Sequence, residues 1–118
     1  MGYQTNGGKY VDTIELRIGP AAALTAAATT NGAAVELGRN RAVTLTLATS
    51  AVSASDTLDV TIQSSQDGTN WYTSGTFVQH TAPASETKTF ICGRFMRPVF
   101  VVAGSAISIS ATLIGEAV

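Results

Sequence analysis

The chain has 118 residues, a formal net charge of −1, 45% hydrophobic residues and only 13% charged residues. That length fits one domain, which buries about two thirds of the surface of its unfolded chain and so needs no disulfide or metal to hold a core. The near-neutral charge excludes a general basic field for nucleic acid or an anionic membrane. No run reaches the roughly 18 to 20 apolar residues of a membrane helix.

The first nine residues, "MGYQTNGGK", show no apolar periodicity and carry two adjacent glycines. They are expected to form a flexible arm (1–9) ahead of a single domain (10–118). The stretch lacks the apolar run of a signal peptide, so the chain is expected to stay in the cytoplasm when made. "TIELRI" (13–18) then alternates Ile14, Leu16 and Ile18 against Glu15 and Arg17. Successive strand side chains point to opposite faces, so this is a strand with one face on a core.

"GPAAALTAAATTNG" (19–32) is ambiguous. Its alanines and Pro20 suit a helix, whereas the lack of a large apolar stripe and the Thr29-Thr30 pair suit extended structure, which is the expectation. After it, Arg39 and Arg41 flank a Gly38-Arg39-Asn40 turn signal. Arginine is enriched at interfaces and grips carboxylates through two parallel bonds. The same residues also serve as solubilising turn charges, and both readings stay open. "AVTLTLAT" (42–49) and "TLDVTIQSS" (57–65) alternate again, with Val43, Leu45 and Leu47, then Leu58, Val60 and Ile62, on their apolar sides.

A tight turn follows at Asp67-Gly68, where Asp accepts local backbone bonds and Gly supplies a positive φ. Trp71 and Tyr72 come next and must point to opposite faces. Burying an indole is worth about 3 to 5 kcal/mol by the cost of truncating it, so Trp71 is expected in the core; an exposed Trp71 stacking on a sugar is the alternative. His80 lies in the polar "VQHTAPASE" and reads as a solvated loop residue. "KTFICGRFMRPVFVVAG" (88–104) reads as one bent strand or two in succession, with Pro98 at a sheet edge or bulge because it cannot donate a ladder bond. "AISISATLIG" (106–115) closes the chain with Ile107, Ile109, Ala111 and Leu113 on one side.

About seven or eight short strands separated by turn signals predict an all-β fold, a small antiparallel β-sandwich of jelly-roll-like or immunoglobulin-like type. The chemistry inventory is thin. One histidine and one cysteine, Cys92, make neither an internal disulfide nor a structural zinc site. Cys92 reads as a small buried hydrophobe. Asp56, Asp59 and Asp67 match no compact calcium loop, and Gly7-Gly8 opens no phosphate-binding helix. The residues therefore predict no enzyme, cofactor, metal or small-molecule substrate. A surface of Thr, Ser and small apolar groups suits contact with protein, since a soluble monomer usually carries roughly 25 to 35% charged surface residues.

Gln63, Ser64, Asp67, Gly68 and Trp71, then Gly93, Arg94, Phe95 and Arg97, then Gly115, Glu116 and Ala117 fall in a recognisable order. Over residues 25–118 the chain resembles a group of small virion proteins of tailed bacteriophages. The resemblance implies a β-sandwich assembled into the virion as a capsid decoration, or cement, protein, with a tail or head-tail component as the alternative. The implied partners are the major capsid protein and copies of the chain itself, as a dimer or trimer, and the implied location is the virion. Met96 and Pro98 depart from the pattern in the aromatic strand. Ser64 to Trp71 and Arg94 to Arg97 are also similar to discoidin (F5/8 type C) carbohydrate-binding domains, which are longer. Candidate interface residues are Tyr3, Tyr10, Arg39, Arg41, Arg94 and Arg97, with Asp67, Gly68 and Trp71 as turn and core residues.

Overall fold

Alternation of the Val43–Leu47 kind leaves one apolar side per strand, and the chain buries those sides by stacking two sheets. The structure, a computed structural model, describes residues 4–6, 9–11, 13–20, 24, 28–52, 56–104 and 109–118, with residues 4–6, 9–11 and 51 described by backbone only. Its strands are β1 (Gln4–Asn6), β2 (Lys9–Val11), β3 (Ile14–Arg17), β4 (Ala28–Asn31), β5 (Val35–Glu36), β6 (Arg41–Ala51), β7 (Thr57–Ser65), β8 (Tyr72–Thr76), β9 (Ala84–Cys92), β10 (Phe95–Ala103) and β11 (Ser110–Ala117).

One sheet has the order β3-β11-β6-β9, and the other β4-β10-β7-β8 with β5 also on β10; all pairings are antiparallel. From β3 onward the chain changes sheet at almost every connection, and of these two sheets' strands only β7 and β8 are consecutive neighbours paired as a hairpin. With β4 and β5 taken as one interrupted strand, this is the strand order of an eight-stranded jelly roll. The immunoglobulin-like alternative, with its ABED and CFG sheets, does not fit this order.

Leu45, Leu47, Leu58, Val60, Ile62, Met96 and Leu113 are fully buried between the sheets, with Phe100 beside them. Each such side chain is worth about 1.5 to 3 kcal/mol of transfer free energy. At one margin Phe77 and Phe90 meet edge to face, with ring centroids 5.2 Å apart and planes at 64°. Gly75 makes room for that pair, since a Cβ there would lie 2.7 Å from Phe90 Cδ1.

The 88–104 segment is two strands, β9 and β10, in different sheets. Pro98 corrects the sequence reading, because β10 is central, flanked by β7 on one side and by β4 and β5 on the other. The Pro98 carbonyl accepts the Gly32 N–H at 2.7 Å, so its missing N–H faces the gap between β4 and β5. Gly32 has no side chain, and the proline ring occupies the place where its Cβ would stand. The interrupted neighbour is what lets a proline sit inside a sheet.

The 19–32 stretch is extended where it is described: Leu24 exchanges backbone bonds of 2.8 and 3.0 Å with Ile109, and Ala28–Asn31 is β4. In the expected arm, residues 1–3, 7 and 8 lie outside the described residues, as does Tyr3. Gln4–Asn6 pairs with Lys9–Val11 as a separate two-stranded sheet, in which Tyr10 is opposite Thr5.

Candidate functional site

The Asp67 turn is built from its own polar groups. One carboxylate oxygen accepts the Thr69 and Asn70 N–H groups, both at 2.8 Å, and the Ser65 hydroxyl at 2.9 Å, while the other accepts the Asn70 amide at 2.7 Å. Those bonds, the Asn70 and Thr69 backbone donors first, hold the Asp67 carboxyl well below its usual range. Gly68 takes φ +79° and rests over the Phe95 ring. Gln66 ties the hairpin to the 38–40 turn through a 3.0 Å bond to the Asn40 side chain.

Trp71 departs from the expectation of a core residue. It is half-buried, outside the core cluster, and its ring lies under the Arg97 guanidinium, whose central carbon is 4.3 Å from the ring centroid. Tyr72 is paired with the inward-facing Ser64, so Trp71, its neighbour in the chain, falls on the outer side of the sheet. Arg97 lies opposite Gln63 in the β10–β7 register and donates its Nε–H to Gln63 Oε1 at 2.9 Å. Met96 and Ile62 point inward, so Arg97, Gln63 and Trp71 form a stacked group on the outer face of the five-stranded sheet. Phe95, Val99 and Val101 share that side of β10, Val101 exposed and Phe95 half-buried.

The other candidate arginines do not join it. Arg41 is buried in the single chain and donates Nε–H to the Leu37 carbonyl at 2.7 Å. Arg39 is exposed and reaches the Asn40 carbonyl at 3.2 Å. Arg94 is exposed at the turn before β10, where its carbonyl accepts the Leu37 N–H at 2.6 Å.

On the opposite side, the four-stranded sheet presents a nearly uncharged outer face. Thr44 bonds Thr89 at 2.9 Å and Thr46 bonds Thr87 at 2.8 Å across β6 and β9. Ile114 and Ile91 are exposed there, and Glu15, Arg17 and Glu116 supply its charge at the β3 side. Between the sheets' open margins, an apolar cleft of about 520 Å³ is lined by Ile18, Pro20, Leu24, Val35 and Phe100.

His80 is the largest correction at the level of chemistry. It is 5% exposed, exchanges two 2.9 Å backbone bonds with Leu58, and places Nδ1 2.6 Å from the Thr49 hydroxyl, with Nε2 3.8 Å from Glu86. A hydroxyl, an imidazole and a carboxylate in line is the arrangement that nucleophilic catalysis uses. Thr49 is only 4% exposed, however, and neither residue lines a described cleft. The group ties β7 to β6 and β9 across the sandwich.

Cys92 is buried as expected, and burial pushes its thiol up, partly offset by bonds with the Ser64 and Ser74 hydroxyls. Asp59 accepts the Gln79 amide at 2.9 Å, whereas Asp56 is buried against Gly104 with no hydrogen-bond partner among the described residues. Among the described residues no three His, Cys, Asp or Glu side chains gather as metal ligands do. The molecule is thus a jelly-roll sandwich with two exposed sheet faces, one threonine-rich and one centred on a stacked arginine. Comparisons of the chain with protein-family models, curated proteins and solved structures found no match.

Proposed function

We propose that the chain is a structural virion protein of a tailed bacteriophage, a capsid decoration protein that stabilises the shell by contact with the major capsid protein and with its own copies. The observation that carries this reading is the broad outer face of the four-stranded sheet, rich in Thr with Ile91 and Ile114 exposed and charged only towards β3, on a chain with 13% charged residues. Such faces suit protein contact better than exposure to water. The resemblance over residues 25–118 supplies the class, and the jelly roll is a fold used by viral capsid domains and by lectins; the fold alone does not choose between them.

In this reading the protein works without catalysis, cofactor or metal and is found in the virion, after synthesis in the bacterial cytoplasm. Bound copies add buried area across subunit boundaries, and a ligand specific for the assembled state stabilises that state by mass action. A standard interface needs about 1,200 to 2,000 Å² in total, within reach of one sheet face per copy in a dimer or trimer on the shell. The test is sedimentation of the purified chain with source particles that lack it. Co-sedimentation with shells and a higher disruption temperature support the reading. Binding to tails alone favours a tail component, and glycan binding lost in Trp71→Ala favours a carbohydrate-binding module.

A further inference from the structure

We infer that the Arg97 guanidinium is a preset receptor for a carboxylate, and that it centres a docking surface for an acidic side chain on a partner protein. The choice of a protein partner rests on the virion reading; the receptor itself rests on geometry. Stacking on Trp71 at 4.3 Å fixes the plane of the guanidinium, and the 2.9 Å bond from Nε to Gln63 fixes its rotation within that plane. The two terminal nitrogens make no hydrogen bond or ion pair among the described residues. What remains is a fork of two donor nitrogens with no partner among the described residues, the shape that binds a carboxylate through two parallel bonds.

The setting favours one class of occupant. The fork is half-buried, so its bonds are screened less than those of a fully exposed lysine. Half-buried Phe95 flanks it on the same side of β10, which suits an acid presented beside an apolar side chain. Asp59 on this face and Glu36 opposite Phe95 add negative charge, which disfavours a polyphosphate backbone more than a single carboxylate. Tryptophan and arginine are also the residue types that dominate binding energy at protein interfaces.

The test is a nuclear magnetic resonance titration of the full chain, following the Arg97 Nε–H and Trp71 indole N–H signals. The probes are a short peptide alternating Glu and Leu, the same peptide with Gln for Glu, and inorganic phosphate. Saturable shifts with the Glu peptide alone are expected, weakened about tenfold or more in Arg97→Ala, given the strength of hydrogen bonds between charged groups. Arg97→Lys, which keeps the charge and loses the fork, should weaken binding severalfold, and Thr46→Ala on the opposite face should change nothing. Equal shifts with the Gln peptide or with phosphate, or undiminished binding by a folded Arg97→Ala or Arg97→Lys variant, overturn the receptor. Particle sedimentation separates the two ideas. Wild-type chain that binds the peptide but no particle overturns the virion reading alone, and an Arg97→Ala variant that sediments as well as wild type overturns Arg97 as the docking centre.

Discussion

Gly75 and Phe90 test the packing of the two sheets at their closest margin. A Cβ added at Gly75 would stand 2.7 and 2.8 Å from Phe90 Cδ1 and Cε1, against about 3.5 to 4.0 Å for carbon atoms in good contact. The ring would have to retreat by nearly 1 Å, and it cannot do so freely, because it is 3% exposed and braced edge to face by Phe77. Gly75→Ala should therefore cost about 1 to 3 kcal/mol, the range for overpacking a filled core. Phe90→Ala should cost about 3 to 5 kcal/mol by opening a cavity. In the double variant the new methyl enters the space left by the ring, so the pair should cost about 1 to 3 kcal/mol less than the two single changes together. The gain that alanine brings by restricting the unfolded chain is present in both backgrounds and cancels in the cycle. Equilibrium unfolding in urea, with an unchanged slope across the four proteins, measures the coupling. Additivity within about 0.5 kcal/mol would refute the contact on which this argument rests.

Asp67, held below the ordinary carboxylate range, contributes stability that is complete above the unfolded value near 4 and is lost as pH falls through its lower folded value. Urea midpoints of wild type and Asp67→Asn should therefore differ at pH 6 and converge towards pH 2; a pH-independent gap would contradict this. Cys92, buried with a raised pKa, should resist Ellman's reagent in the native protein at pH 8 and react on unfolding; labelling at the rate of a free thiol would place it at the surface. Removing the His80 tie with His80→Ala should cost about 1 to 3 kcal/mol by leaving buried partners unsatisfied. Thermal melts of His80→Ala, Thr49→Val and the pair should show coupling, and additive losses would deny the cross-sheet bond.

Strand positions were legible in the sequence wherever one face is apolar and the other is not. Val43, Leu45 and Leu47 against Thr44 and Thr46 leave a single way to face the core, and β6 and β7 follow that alternation. The order of strands within the sheets was not legible, because period-two patterning says which way a side chain points and nothing about which strand lies beside it. Pro98 misled because its rule concerns the missing N–H, and only the break between β4 and β5 reveals that this side of β10 has no bond to lose. His80 misled because polar neighbours suggested solvent, whereas its backbone pairing with Leu58 draws it between the sheets. For Trp71, the free energy of burial favoured the core, but the β7–β8 register puts Tyr72 opposite inward-facing Ser64 and so turns Trp71 outward, where Arg97 offers the ring a partner. No spacing in the sequence marks that outer group; the strand register sets Arg97 opposite Gln63, and the guanidinium then lies over Trp71.

Electron cryomicroscopy of purified source particles tests the central claim most directly. The account predicts density for a two-layered β-sandwich on the outside of the capsid shell, with the sheet face bearing Arg97 and Trp71 turned towards a neighbouring subunit. Particles that contain none of this chain, or that carry it only on the tail, would contradict the assignment to the shell.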